Sequence, residues 1–342
     1  MTMADARFDE ISIQSSLKVT RDETVDSERN FERSPKRAVA YLSPQQVFSS
    51  EGLTELNQPS NLKGILQLLG HLAVMVGSGY IWLNQDNLGL KIPALIIYGF
   101  TLATMFAALH ECVHRTAFAN NRLNDIVAWF AGLLSFYNST FYRRYHKWHH
   151  RYTRIRDKDP ELTDLTPTNL GEYLWVISGI PWWIGKVQTH YLCATGQMED
   201  LPYIQETARG EIQRSVQLQL LTYLGAIIVS IYYQQPWFVL FWLLPLAMGQ
   251  PLLRFILLAE HTACTFDANP FANTRTTLTA IPLRFLMWNM PFHAEHHFCP
   301  SIPFHALGKA HQKLQPHLCY VERGYINVNL GVVKNNTHKE IR

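Results

Sequence analysis

Three short histidine runs stand in the middle of the chain: His110-Glu-Cys-Val-His114, His146-Lys-Trp-His149-His150 and His293-Ala-Glu-His296-His297. On a helix, residues three or four apart share a face. Each run therefore sets two or three imidazoles around one small volume. Imidazole nitrogen suits iron, zinc and copper. His261, just past an apolar segment, adds a ninth candidate ligand. A zinc site takes four donors and a catalytic one keeps a position open, so nine imidazoles exceed the needs of one ion. Two ions with four or five donors each fit the count. The first run alone also matches the H-E-x-x-H pattern of zinc proteases, with Glu111 as general base. That reading leaves six clustered histidines without a role.

The elements that must position these runs are apolar. Leu62–Trp82, Ile92–Leu109, Leu218–Tyr233 and Trp237–Leu258 read as four membrane-spanning helices, the third short on its own with Gln217 and Gln219 at the interface. Short polar links pair them into two hairpins. That parity puts the N-terminus, the long loop 115–215 and the C-terminal region on one side. Nine Lys and Arg residues lie between Arg115 and Lys158, which marks that side as cytosolic. The fold class expected is an all-α, multi-pass integral membrane protein, with a cytosolic helical cap carrying the runs and both termini. Ile126–Tyr142 and Tyr173–Ile184, rich in Trp and Tyr, read as helices lying in the interface. His71, inside the first span, reads as a helix-contact residue. Arg254, near the end of the fourth, reads as a snorkelling cation or a head-group contact.

Hydrophobic residues make up 47% of the 342-residue chain and charged residues 17%, a balance suited to a membrane protein with polar ends. The net charge of +3 and the lack of a basic, aromatic-interleaved patch give no sign of a nucleic-acid partner. Residues 1–60 are charged and Ser-rich and read as a disordered cytosolic tail without a secretory signal. Residues 61–325 read as the membrane domain that carries the histidine runs and 326–342 as a C-terminal tail. The five cysteines are scattered without a C-x-x-C pair, which points to reduced thiols rather than a zinc knuckle.

The three runs, their order and the segments between them resemble the histidine boxes of the membrane fatty acid desaturase superfamily, over roughly residues 65–320. The strings Phe141-Tyr-Arg-Arg-Tyr-His146 and Trp288-Asn-Met-Pro-Phe-His293 look family-like as well. The resemblance implies a di-iron centre using dioxygen, held by His110, His114, His146, His149, His150, His293, His296 and His297, with His261 as the additional ligand. It implies no catalytic side chain beyond the metal centre. Carboxylates that would orient the ligand rings are Glu111, Asp157, Asp159, Glu260 and Glu295. The third box opens with His293 rather than Gln, unlike front-end desaturases. The first has three residues between its histidines, unlike the four of stearoyl-CoA-type enzymes. No H-P-G-G haem motif is present, so the resemblance implies a separate electron donor, a ferredoxin or a b-type cytochrome. The activity implied is acyl-lipid desaturation, an oxidoreductase reaction on a membrane lipid. Carotenoid ketolases and hydroxylases and lipid hydroxylases carry similar boxes. The carotenoid enzymes usually open the first with His-Asp where this chain has His110-Glu111.

Overall fold

The computed structural model describes residues 39–163 and 165–337, so most of the expected N-terminal tail and the last five residues lie outside the described residues. The chain is mostly helical. Two short helices, α1 (Pro44–Val47) and α2 (Ser50–Leu56), precede α3 (Asn61–Asn84) and α4 (Leu88–Val113). The expected tail is thus structured from about residue 43 onward. Phe48 explains why: it is buried against Phe298, their rings 6.4 Å apart.

Among the described residues, four helices are long and apolar enough to cross a membrane: α3, α4, α9 (Glu206–Tyr232) and α10 (Val239–His261). α3, α9 and α10 leave Leu, Ile and Val side chains exposed along their length, for example Leu66, Ile228 and Leu252. Such a surface is stable only against lipid. α4 is the most enclosed of the four, and its C-terminal half is buried from Thr101 to Val113. It meets α10 at a glycine pair. A methyl carbon added at Gly249 would fall on the carbonyl of Gly99, and one added at Gly99 on that of Pro245. The backbones touch because neither residue has a side chain.

α10 opens with a π-type turn over Val239–Leu243, ahead of Pro245. Proline has no N–H to offer the preceding turn. The carbonyl of Phe241 accepts from Tyr98 Oη at 2.8 Å and that of Leu240 from Trp82 Nε1 at 3.1 Å. Both donors come from other spans, so the irregular turn fastens α10 to α3 and α4. His71 is a contact residue, as its position in a span suggests. It is fully buried, with Nε2 2.9 Å from the carbonyl of Thr101 and Nδ1 accepting from Trp288 Nε1 at 3.3 Å.

The segment expected as one interfacial helix over 126–142 is two, α5 (Asn121–Ser135) and α6 (Ser139–Tyr152). Phe136 turns left-handed at φ 60°, and Asn138 caps α6 by accepting from Phe141 N. Gly179, at φ 76°, likewise divides α7 (Leu170–Ile177) from α8 (Ile180–Thr195). Trp182 is buried there rather than interfacial, and its indole donates to Tyr137 Oη at 2.9 Å. α9 starts twelve residues earlier than its apolar run because Ile212 and Val216 pack on Cys193 and Met198. Gln219, expected at the interface, is buried and bonded to Asn138 and the carbonyl of Tyr137.

Beyond α10 the chain forms α11 (Pro270–Asn273), β1 (Thr276–Leu278), α12 (Ile281–Leu286), α13 (His293–Phe298), α14 (Leu307–Leu314), β2 (Val321–Arg323) and α15 (Tyr325–Thr337). β1 and β2 pair in parallel, Thr276 opposite Val321, a small departure from an all-α chain. The expected C-terminal tail is largely α15. It buries Val328, Asn329 and Val332, and Asn329 bridges Tyr173 Oη and the carbonyl of Phe255.

Candidate metal centre

Each box sits where a helix ends or barely exists. His110 and His114 lie on the last turn and cap of α4, His146, His149 and His150 on the last two turns of α6, and His261 at the end of α10. Left-handed residues follow closely: Arg115, Arg154 and Ala263, at φ 61–63°. The chain presents its imidazoles and then turns sharply away. None of these residues is glycine, so each such turn costs roughly 1 kcal/mol or more and must be held by its surroundings. α13 has six residues, too few to be stable alone. Contacts hold it: Glu295 accepts from Thr276 Oγ1 at 2.5 Å and is also bonded to His311 Nδ1.

The nine histidines come together in two groups. One ring nitrogen from each of His110, His114, His146, His150 and His296 lies within 4.8 Å of the others; the same holds for His149, His261 and His297. His293 joins the second group, its Nε2 3.1 Å from His297 Nε2 and 3.2 Å from His261 Nε2. In the first group, His150 Nε2 is 3.0 Å from His146 Nε2 and 3.1 Å from His296 Nε2. Rings of His150 and His297 stack at 4.1 Å between the groups.

These nitrogens fit a cation. Metal–imidazole bonds of about 2.1 Å at right angles place neighbouring nitrogens about 3.0 Å apart, close to the spacings seen. Burial first, then mutual repulsion, holds His146, His150, His293, His296 and His297 well below the usual imidazole range. Burial, aided by the nearby charges of His149 and Arg143, pushes His114 down to about 3. Neutral imidazoles carry bare lone pairs. His110 Nε2 and His114 Nε2 are buried with no hydrogen-bond partner. A metal ion would satisfy these lone pairs.

The second group is oriented from behind. His149 Nδ1 donates to Asp159 Oδ1 at 2.8 Å, and Asp159 also accepts from the backbone of Arg154 and Glu161. His261 Nδ1 lies 3.1 Å from the carbonyl of Asn273, which can only accept. His297 Nδ1 meets Thr153 Oγ1 at 3.2 Å; that hydroxyl already gives its proton to the carbonyl of His149. In each ring Nδ1 therefore carries a proton, which leaves Nε2 as the nitrogen that faces inward. Burial would lower His149, but Glu161 and Asp159 outweigh it and raise it.

Of the five carboxylates expected to orient rings, Asp159 takes that position. Glu111 instead accepts from Thr116 Oγ1 at 2.5 Å and the backbone N–H of Phe304 at 2.9 Å, tying the end of α4 to the loop after α13. The bonds of Glu295 go to Thr276 and His311, not to a box ring. Asp157 is an exposed turn residue at φ 62°. Glu260 Oε2 lies 3.4 Å from His293 Nε2. Sequence reasoning missed Thr153, Asn273 and Glu161, whose Oε2 is 3.5 Å from His149 Nε2. The only signal for Glu161 is its place in the acidic turn Asp157–Glu161. Arg254 points into the aromatic cluster of Tyr137 and Trp182, 3.3 Å from Tyr137 Oη.

Membrane-length helices together with clustered, inward-facing imidazoles define a membrane protein with a histidine cluster that fits a metal site. The chain belongs to the fatty acid desaturase family, whose model matches residues 90–328. It is similar to the sn-1 oleoyl-lipid 12-desaturase of Picosynechococcus sp., 32% identical over 133 residues. That match covers 37% of this chain and 38% of the relative's length.

Proposed function

We propose that this protein is a membrane di-iron oxidoreductase that desaturates an acyl chain of a membrane lipid. The observation that carries the reading is the pair of imidazole groups gathered where two apolar spans, α4 and α10, meet α6 and α13. Withdrawing hydrogen from an unactivated methylene is beyond any acid or base side chain. Bound iron would supply the reductive activation of dioxygen that this step requires. In balance, two adjacent methylenes lose two hydrogens, dioxygen becomes two waters, and two electrons and two protons enter from a separate donor. A ferredoxin or b-type cytochrome has the chemistry for that role.

The chain's own residues hold and shield. Nine histidines offer imidazole donors: His110, His114, His146, His150 and His296 at one position, His149, His261, His293 and His297 at the other. Asp159, Asn273 and Thr153 fix the ring protons on the outward nitrogens. Phe106 and Tyr142 pack against the first group, with Tyr142 stacked 5.0 Å from His146 and Phe106 6.2 Å from His110. They offer an apolar wall that keeps water from the rings and suits a hydrocarbon chain. The basic stretch Arg115–Lys158 supports a cytosolic location for the centre and both termini. Two hairpins of spans, with residues 61–325 as the catalytic unit, complete the reading.

Expression in a host of defined lipids, with profiling of acyl chains and pigments, tests it. The expected product is a new acyl double bond, absent with His296→Ala. An altered carotenoid profile with unchanged acyl chains would overturn acyl desaturation. Full activity with zinc in place of iron would overturn the di-iron assignment.

A further inference from the structure

A carboxylate that orients a ligand ring sits on the nitrogen facing away from the metal, as Asp159 does on His149 Nδ1. Glu260 sits on the other side. Its Oε2 is 3.4 Å from His293 Nε2, the nitrogen that also meets Nε2 of His261 and of His297. The oxygen thus lies against the inward nitrogen of His293, which itself has two other imidazole nitrogens within 3.2 Å. Glu260 Oε1 is buried and has no hydrogen-bond partner; neither has His293 Nδ1, where an orienting carboxylate would bond. Among the described residues, its ion-pair contact is with His293. Arg254, on the same helix, directs its Nη2 to Tyr137 Oη instead. A buried carboxylate with an unpaired oxygen is costly unless a cation completes it.

We infer that Glu260 is a direct oxygen donor to the metal at the four-imidazole position, which makes the two metal positions chemically unequal. The inference rests on the di-metal reading above. Among the described residues, one group is five imidazoles; the other is four imidazoles with Glu260 3.4 Å from His293 Nε2 and Glu161 3.5 Å from His149 Nε2. A carboxylate brings negative charge and a harder donor atom, so that position favours the more oxidised metal.

The test is loading of the purified full chain with ⁵⁷Fe(II) under anaerobic conditions, read by iron stoichiometry and Mössbauer spectroscopy. The wild type is expected to hold about two irons per chain, in two distinct quadrupole doublets. Glu260→Gln keeps the shape and removes the charge. It should weaken one site by about 10–100-fold and alter or remove one doublet while the other persists. The persisting doublet shows that the variant is folded. His296→Ala should remove the opposite doublet. Two irons with both doublets unchanged in Glu260→Gln overturns the inference. If Glu260→Gln holds no iron, Glu260→Asp decides. A shifted doublet there supports the donor role; two unchanged doublets overturn it. A wild type that takes up no iron overturns the di-iron reading itself, a distinguishable outcome.

Discussion

Replacing Asp159 by asparagine keeps the side chain's shape and removes its charge, which isolates what the carboxylate does for His149. Both residues are 1% exposed at the side chain. Oδ1 accepts from His149 Nδ1 at 2.8 Å and from Glu161 N at 3.0 Å, while Oδ2 accepts from Arg154 N at 2.7 Å. Asparagine has one acceptor oxygen. Keeping it at the Oδ1 position saves two bonds and sets the amide against the N–H of Arg154. The ring stays in place, but its hydrogen bond changes from charge-assisted to neutral. That difference is about 1–1.5 kcal/mol, or about tenfold in metal affinity at the position holding His149. Asp159→Ala leaves all three donors unmet and should cost about hundredfold. Competition with a graded chelator series, monitored by iron content, measures both. Affinity within about twofold of wild type in Asp159→Asn, with both irons retained, would refute the claim that this carboxylate strengthens the ligand.

Other outcomes follow from the same geometry. His71→Ala should keep about two irons per chain and lower thermal stability in detergent by about 1–3 kcal/mol, because Trp288 loses its acceptor. Loss of iron there would make His71 more than a contact. Gly249→Ala should push α10 off α4 and cost about 1–3 kcal/mol or the folded yield altogether, read by size-exclusion profile and melting. Unchanged melting would deny the close backbone contact. Metal-free protein should lose stability as pH falls from 6.5 toward about 3, because the unfolded chain protonates at His114 before the folded one does. Chemical denaturation at stepped pH checks it, and stability that rises on acidification across that window contradicts it.

The spans and the boxes are legible in sequence because both are local patterns: an apolar run, or histidines one turn apart. How the histidines sort into groups is not. His149 and His150 are neighbours in sequence, yet one faces each group, since successive helical residues point about 100° apart. The same geometry explains the carboxylates. Glu111 and Glu295 adjoin box histidines and for that reason point elsewhere, to Thr116, Phe304, Thr276 and His311. Glu260 passes over its neighbour His261 and meets His293. Asp159 succeeds from ten residues away because the turn after α6 folds back. The break at Phe136 was hidden for a different reason: aromatic residues rarely adopt left-handed backbone, and nothing local announces it.

The six-residue helix α13 has a bearing on the order in which this protein matures. Every donor group described includes residues of that helix: His296 in one, His293 and His297 in the other. His296 meets His150 across 146 residues of chain. While the ribosome is still making α13, the spans can already be in the bilayer, but neither donor set is complete. Cofactor delivery therefore comes after synthesis has passed residue 297. A chain stalled or cut before that point would be inserted and inert, with its first two boxes exposed to whatever metal the compartment offers.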